Sequence, residues 1–124
     1  MRARVRIRRT DEGPGRVLIP GTDQLALLRR CTDAFHAEMP DRGQRDFVLG
    51  EHGESLPALF AADPAAAADA GLPMTEGALR AAHTLLVTLL ALIPSERVFM
   101  ERTGHYRDHV KAVAYGLRRA ASGE

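Results

Sequence analysis

Residues 76–93 constrain the fold most, because Leu79, Ala82, Leu86, Leu89 and Ile93 recur at alternating spacings of three and four and draw one apolar stripe along a helix. Leu85, Val87, Leu90 and Leu92 widen that stripe almost all the way round. A helix apolar on nearly every face is central to its fold or covered by a partner chain. Its most apolar stretch, residues 85–93, has nine residues, about half of the roughly 20 a helix needs to cross a bilayer. It therefore reads as a core segment, and no membrane role is expected. With no Trp, four Phe and two Tyr, the core has to be built from Leu, Val, Ile and Ala.

The rest of the chain is arranged around that helix. Residues 2–9 alternate strictly, setting Arg2, Arg4, Arg6 and Arg8 on one side of a strand and Ala3, Val5 and Ile7 on the other. A turn cluster follows, and residues 16–19 read as a second strand, so the natural pairing is a β-hairpin over residues 1–20. Thr22 or Asp23 can cap a helix over 23–39, ended by Pro40. Residues 41–45 read as a polar loop and 46–49 as a short third strand. Ser55 is expected to cap a short helix to residue 62. Asp63 followed by Pro64 caps an alanine-rich helix stopped by Gly71, whose small side chains either pack closely on a neighbour or move. Thr75 caps the central helix. Residues 95–100 form a helical turn or an extended piece, Gly104 interrupts, and a last helix over 106–120 carries Tyr106, Val110, Val113 and Leu117 on one side. With 124 residues, the expectation is a single domain of α+β class over residues 1–124: an N-terminal β-hairpin, with the third short strand, packed on a bundle of four to five helices over 22–120.

Charge and cysteine usage narrow the function classes. Seventeen Lys and Arg against sixteen Asp and Glu leave a net charge of +1, so any nucleic-acid role must be local. Lys111 is the single lysine, and with alanine abundant this bias suggests a GC-rich bacterial genome. Cys31 has no second cysteine to bridge, reads as a small buried hydrophobe, and together with the lack of a signal-like amino terminus suggests the cytoplasm.

Four constellations could carry chemistry. Gly50-Glu51-His52-Gly53-Glu54-Ser55 resembles the loop around the catalytic histidine of L-lactate dehydrogenases. That chemistry would imply a nicotinamide cofactor on a Rossmann domain. The chain has neither a G-x-G-x-x-G after a strand nor the length for one, so the string reads as a polar loop and no cofactor is expected. Glu101, His105 and His109 recur every four residues, a spacing that lets two imidazoles and a carboxylate meet one metal ion on a continuous helix. Arg102 and His109 form an R-x6-H pair similar to the R-x4-6-H signature of HEPN ribonucleases. That resemblance implies a histidine acid or base and an arginine that steadies phosphate charge. Arg29 and Arg30 stand at comparable offsets from His36. Last, the Arg2, Arg4, Arg6 and Arg8 face could meet DNA, as in ribbon-helix-helix repressors, or an acidic protein, or simply solvate an edge strand. His83 on the central helix reads as a satisfied buried histidine.

No nucleophile elbow and no phosphate-cradling glycine loop is present. The leading expectation is a small cytoplasmic interaction protein, regulatory, adaptor or inhibitor in type, working without catalysis, homodimeric or bound to a helical partner through the excess apolar surface of residues 76–93, with Arg2, Arg4, Arg6 and Arg8 as partner-binding residues. The alternatives are a metal-dependent or HEPN-like enzyme using Glu101, Arg102, His105 and His109, and a nucleic-acid binder using the arginine strand.

Overall fold

The central helix forms where the sequence places it. In the computed structural model, which describes residues 5–9 and 15–123, Thr75 accepts a hydrogen bond from Ala78 N at 3.1 Å and starts α5, Glu76–Leu92. All five stripe residues are buried, with Leu85 and Leu90. The helix is covered within the chain, by α1 (Thr22–Glu38), α2 (Arg42–Leu49) and above all α7 (Arg107–Ala121). Of its large apolar side chains only Val87 and Leu92 remain about half exposed, at 46% and 45%.

The class is α+β. Strands β1 (Arg8–Arg9), β2 (Arg16–Leu18) and β3 (Leu72–Pro73) form an antiparallel sheet in the order β1-β2-β3, with Arg8 opposite Leu18 and Val17 opposite Leu72. Strand alternation survives where it is described: Ile7 is buried, while Arg6 and Arg8 are exposed. Arg2, Arg4 and the turn cluster at residues 10–14 lie outside the described residues. The third strand is not at 46–49. Those residues belong to α2, started by Asp41, whose carboxylate accepts from Gln44 N at 2.9 Å, and ended by Gly50 at φ +79. Phe47, which a strand would have paired with apolar neighbours, is 92% exposed, and Leu49 alone of this helix is buried.

Other boundaries also differ from expectation. α1 begins at Thr22 with neither Thr22 nor Asp23 as cap; Gly21 precedes it and its carbonyl accepts from Gln24 N and Leu25 N. Ser55 does not cap α3 (Leu56–Phe60); its hydroxyl donates to His52 O at 2.7 Å inside a 3-10 turn, Gly53–Ser55. Of the two alternatives for residues 95–100 the helical one holds: Ser95 caps α6 (Glu96–Thr103), which Gly104 closes at φ +74. Tyr106 precedes α7 and is exposed instead of sharing the buried face of Val110, Val113 and Leu117. Among the described residues seven α-helices result, more than the four or five expected.

The alanine-rich α4 (Pro64–Asp69) starts at Asp63 as expected and packs closely: Ala67 is fully buried and its carbonyl accepts from Ile19 N at 3.0 Å. A larger side chain would hold the two backbones apart. Gly116 of α7 works similarly, since a Cβ there would stand 2.8 Å from Val5 Cγ1, so the N-terminal segment crosses α7 at close range. Strand and helix residues meet in one hydrophobic cluster that includes Ile7, Val17, Phe35, Leu86, Phe99 and Leu117.

Candidate functional site

A helix leaves its last carbonyls without intrahelical donors, and its C-terminus carries partial negative charge. In this chain arginines from other segments meet that need repeatedly. Arg45 donates to Met39 O and Pro40 O at 3.1 and 2.7 Å, just past α1. Arg29 donates to Phe60 O and Ala62 O at the end of α3. Arg16 reaches Ala70 O and Gly71 O beyond α4 at 3.2 and 3.4 Å, and Arg107 reaches Leu90 O and Ile93 O at the end of α5 at 2.8 and 2.5 Å. Arg9 reaches Ala121 O of α7 at 3.0 Å. Further arginines are neutralised in pairs: Arg42 with Asp46 and Glu54, Arg80 with Glu76, Arg97 with Glu101, and Arg102 with Glu38.

Among the described residues, Arg6, Arg8 and Arg119 keep no carboxylate and no hydrogen-bond partner. They line one groove of about 690 Å³ together with Val5, Ile7, Leu18, Pro20 and Ala68. β1 supplies Arg8, the segment before it Arg6, and the last turn of α7 supplies Arg119, whose guanidinium also lies 5.8 Å from the Tyr115 ring centroid. Among the described residues the groove thus has apolar walls and three cations without a counter-charge. Of the arginine face expected from the sequence, Arg6 and Arg8 are placed here and Arg2 and Arg4 lie outside the described residues. Arg119 was not among the expected site residues, because only the fold brings it to the strand.

The expected Glu101, His105 and His109 set is divided by Gly104, which ends α6 between the first residue and the other two. Glu101 is exposed and 3.9 Å from Arg97. Among the described residues no three His, Cys, Asp or Glu side chains gather as a ligand set. His105 and His109 do meet, ring centroids 5.7 Å apart and edge to face, and His109 Nε2 is buried without a hydrogen-bond partner among the described residues. Burial, His109 and Arg30 hold the His105 imidazole below its usual range, with Asp23 opposing them. Arg102, the arginine of the expected ribonuclease-like pair, is held by Glu38. The arginine beside the histidines is instead Arg30, whose Nη2 would lie 3.6 Å from a Cβ on Gly104.

A further cluster was not singled out by the sequence. Glu54 accepts from Arg45 Nη2 at 2.9 Å and Nε at 3.3 Å, with Arg42 Nε at 3.5 Å and His36 Nε2 at 3.7 Å. His36 Nδ1 donates to Thr32 O at 2.9 Å, which turns Nε2 toward the carboxylate. The hydrogen bonds from Arg45 hold the Glu54 carboxyl below the ordinary carboxylate range. These contacts join α1, α2 and the 3-10 turn, so the histidine-loop string serves as a fastening here. Cys31 is fully buried, and burial pushes its thiol up to about 12, which leaves it protonated and unreactive at neutral pH. No helix among the described residues is long and apolar enough to cross a membrane. Compared with known protein families, curated proteins and solved structures, the chain matches none.

Proposed function

We propose that this chain is a small cytoplasmic interaction protein, regulatory, adaptor or inhibitor in type, that holds an acidic segment of a protein partner in the Arg6, Arg8 and Arg119 groove. The observation that carries the reading is the groove's unbalanced charge. Among the described residues, Arg9 and Arg16 of the hairpin and the arginines of α1 to α3, apart from Arg30, are spent on carbonyls or carboxylates, whereas these three share an open cleft with apolar walls. A peptide bearing Asp or Glu between apolar residues matches both properties, since guanidinium and carboxylate pair through two parallel hydrogen bonds. A nucleic acid fits less well, because none of the residues lining the groove is aromatic and the whole chain carries only +1.

Fluorescence anisotropy with a labelled acidic peptide tests this. Arg6→Ala combined with Arg119→Ala is expected to weaken binding about tenfold or more, and added salt to weaken it steeply. Equal affinity in wild type and variant, or a preference for DNA of matched charge over the peptide, would overturn the reading. Self-association, expected from the apolar breadth of α5, now rests on Val87 and Leu92, and native mass spectrometry of the purified protein reads it directly.

A further inference from the structure

The two arginines that end α7 serve different clefts. Arg119 belongs to the basic groove, whereas Arg118 lines a second groove of about 460 Å³ between the last turn of α7 and the first turns of α5. Glu76, Leu79, Arg80, His83 and Thr84 form one wall; Arg118, Ala121 and Ser122 form the other. Glu76 and Arg80 neutralise each other at 3.1 Å, and Ser122 Oγ donates to Arg118 O at 3.1 Å. Three donors remain: the Arg118 guanidinium, the His83 ring and the Thr84 hydroxyl have no hydrogen-bond partner among the described residues. His83 is half-buried and open to the groove, where the sequence suggested a buried histidine held by protein partners. Burial, and secondarily Arg118, hold its imidazole below the usual range.

We propose that this groove binds a small organic molecule through one oxyanion, phosphate or carboxylate, held between the Arg118 guanidinium and the His83 imidazole. An oxyanion there supplies the counter-charge that Arg118 lacks and accepts from the donors that the protein leaves unused. Glu76, already paired with Arg80, does not oppose it. The cleft is within the usual range of small-molecule sites and larger than a free phosphate needs, so the remainder of the ligand would lie against Ala121 and the Thr84 side of the groove. A bound anion also favours imidazolium, which gives the site a direct readout.

That readout is the pH titration of the His83 ring by NMR, in the full-length protein, with inorganic phosphate in one arm and acetate in the other, at ionic strength matched by sodium chloride. The expected result is an upward move of the His83 midpoint by about half a unit or more, with His36 and His52 unmoved. In Arg118→Gln the move is lost. A response to phosphate alone assigns a phosphate-bearing ligand, to acetate alone a carboxylate, and to both a general oxyanion site. An unmoved His83 at tens of millimolar of either anion, an equal move in Arg118→Gln, or a common drift of all the histidines would overturn the proposal. Because Arg118 lies outside the basic groove, Arg118→Gln leaves binding of the acidic peptide unchanged, so the two proposals succeed or fail separately.

Discussion

Arginine has two uses in this chain, and hydrogen-bond geometry separates them. Where a guanidinium meets the carbonyls at a helix end, it is part of the architecture. Arg107 is the clearest case: Nη1 spans Leu90 O and Ile93 O, its own backbone N–H donates to Glu96 Oε2 at 3.0 Å, and its guanidinium carbon lies 5.5 Å from the Phe99 ring centroid. It fastens the end of α5 to the start of α7. Arg107→Ala is expected to cost about 2 kcal/mol in denaturant unfolding, because it leaves two carbonyls without their charged donor. A loss below a few tenths would show that water replaces it at no cost. Glu54 makes a second prediction at this scale. Its carboxyl is held below the ordinary range in the folded protein, so its contribution is full above that range and disappears as pH falls through the folded-state value. The stability gap between wild type and Glu54→Gln should therefore be widest near neutral pH and close on acidification, as followed by thermal unfolding. A gap independent of pH would mean that the carboxylate's charge is not what joins α1 and α2.

At the level of elements, some local signals proved legible, but the caps expected at Thr22 or Asp23 and at Ser55 did not form. Asp63 and Thr75 could be read as caps because the short oxygen and the helix pattern lie within four residues of each other, and both accept the expected backbone N–H. The buried stripe of α5 could be read because its period is internal to one helix. Residues 46–49 could not, because four residues do not separate a strand from a helix by period; Asp41 and Gly50, at either end, decide for α2. β3 was invisible for a different reason. It has two residues, one of them Pro73, and exists only because β2 lies beside it; a proline is tolerated on such an edge strand. Close approach is likewise unreadable beforehand. A Cβ on Gly53 would sit 2.6 Å from Leu49 Cβ, an atom that can retreat only if α2 moves. Gly53→Ala is therefore expected to destabilise by about 1–3 kcal/mol, measured by urea unfolding, whereas Gly43→Ala, whose Cβ would meet only the Asp41 carboxylate at 3.2 Å, should cost distinctly less. Equal effects would indicate that α2 is loosely seated.

Across the whole molecule, the candidate sites come from segments far apart in the chain, which is why the sequence named them only in part. The alternation of residues 2–9 pointed to Arg6 and Arg8, but Arg119 joins them only because Gly116 lets that segment cross α7 closely. The four-residue spacing of Glu101, His105 and His109 assumed one continuous helix, and Gly104 at positive φ ends it. His83 and Arg118 are 35 positions apart and meet because α5 and α7 pack side by side. Among the described arginines that meet neither a helix end nor a carboxylate, Arg6, Arg8 and Arg119 share one cleft with apolar walls, and the account of function stands on it. The most direct test is a backbone amide NMR titration of the protein with the unlabelled acidic peptide. Chemical-shift changes concentrated at residues 5–8, 18–19, 68 and 119 are predicted, and they should be absent in the Arg6→Ala, Arg119→Ala variant. Changes centred instead on Phe47, Tyr106 or the His105 and His109 pair, or none at all, would contradict it.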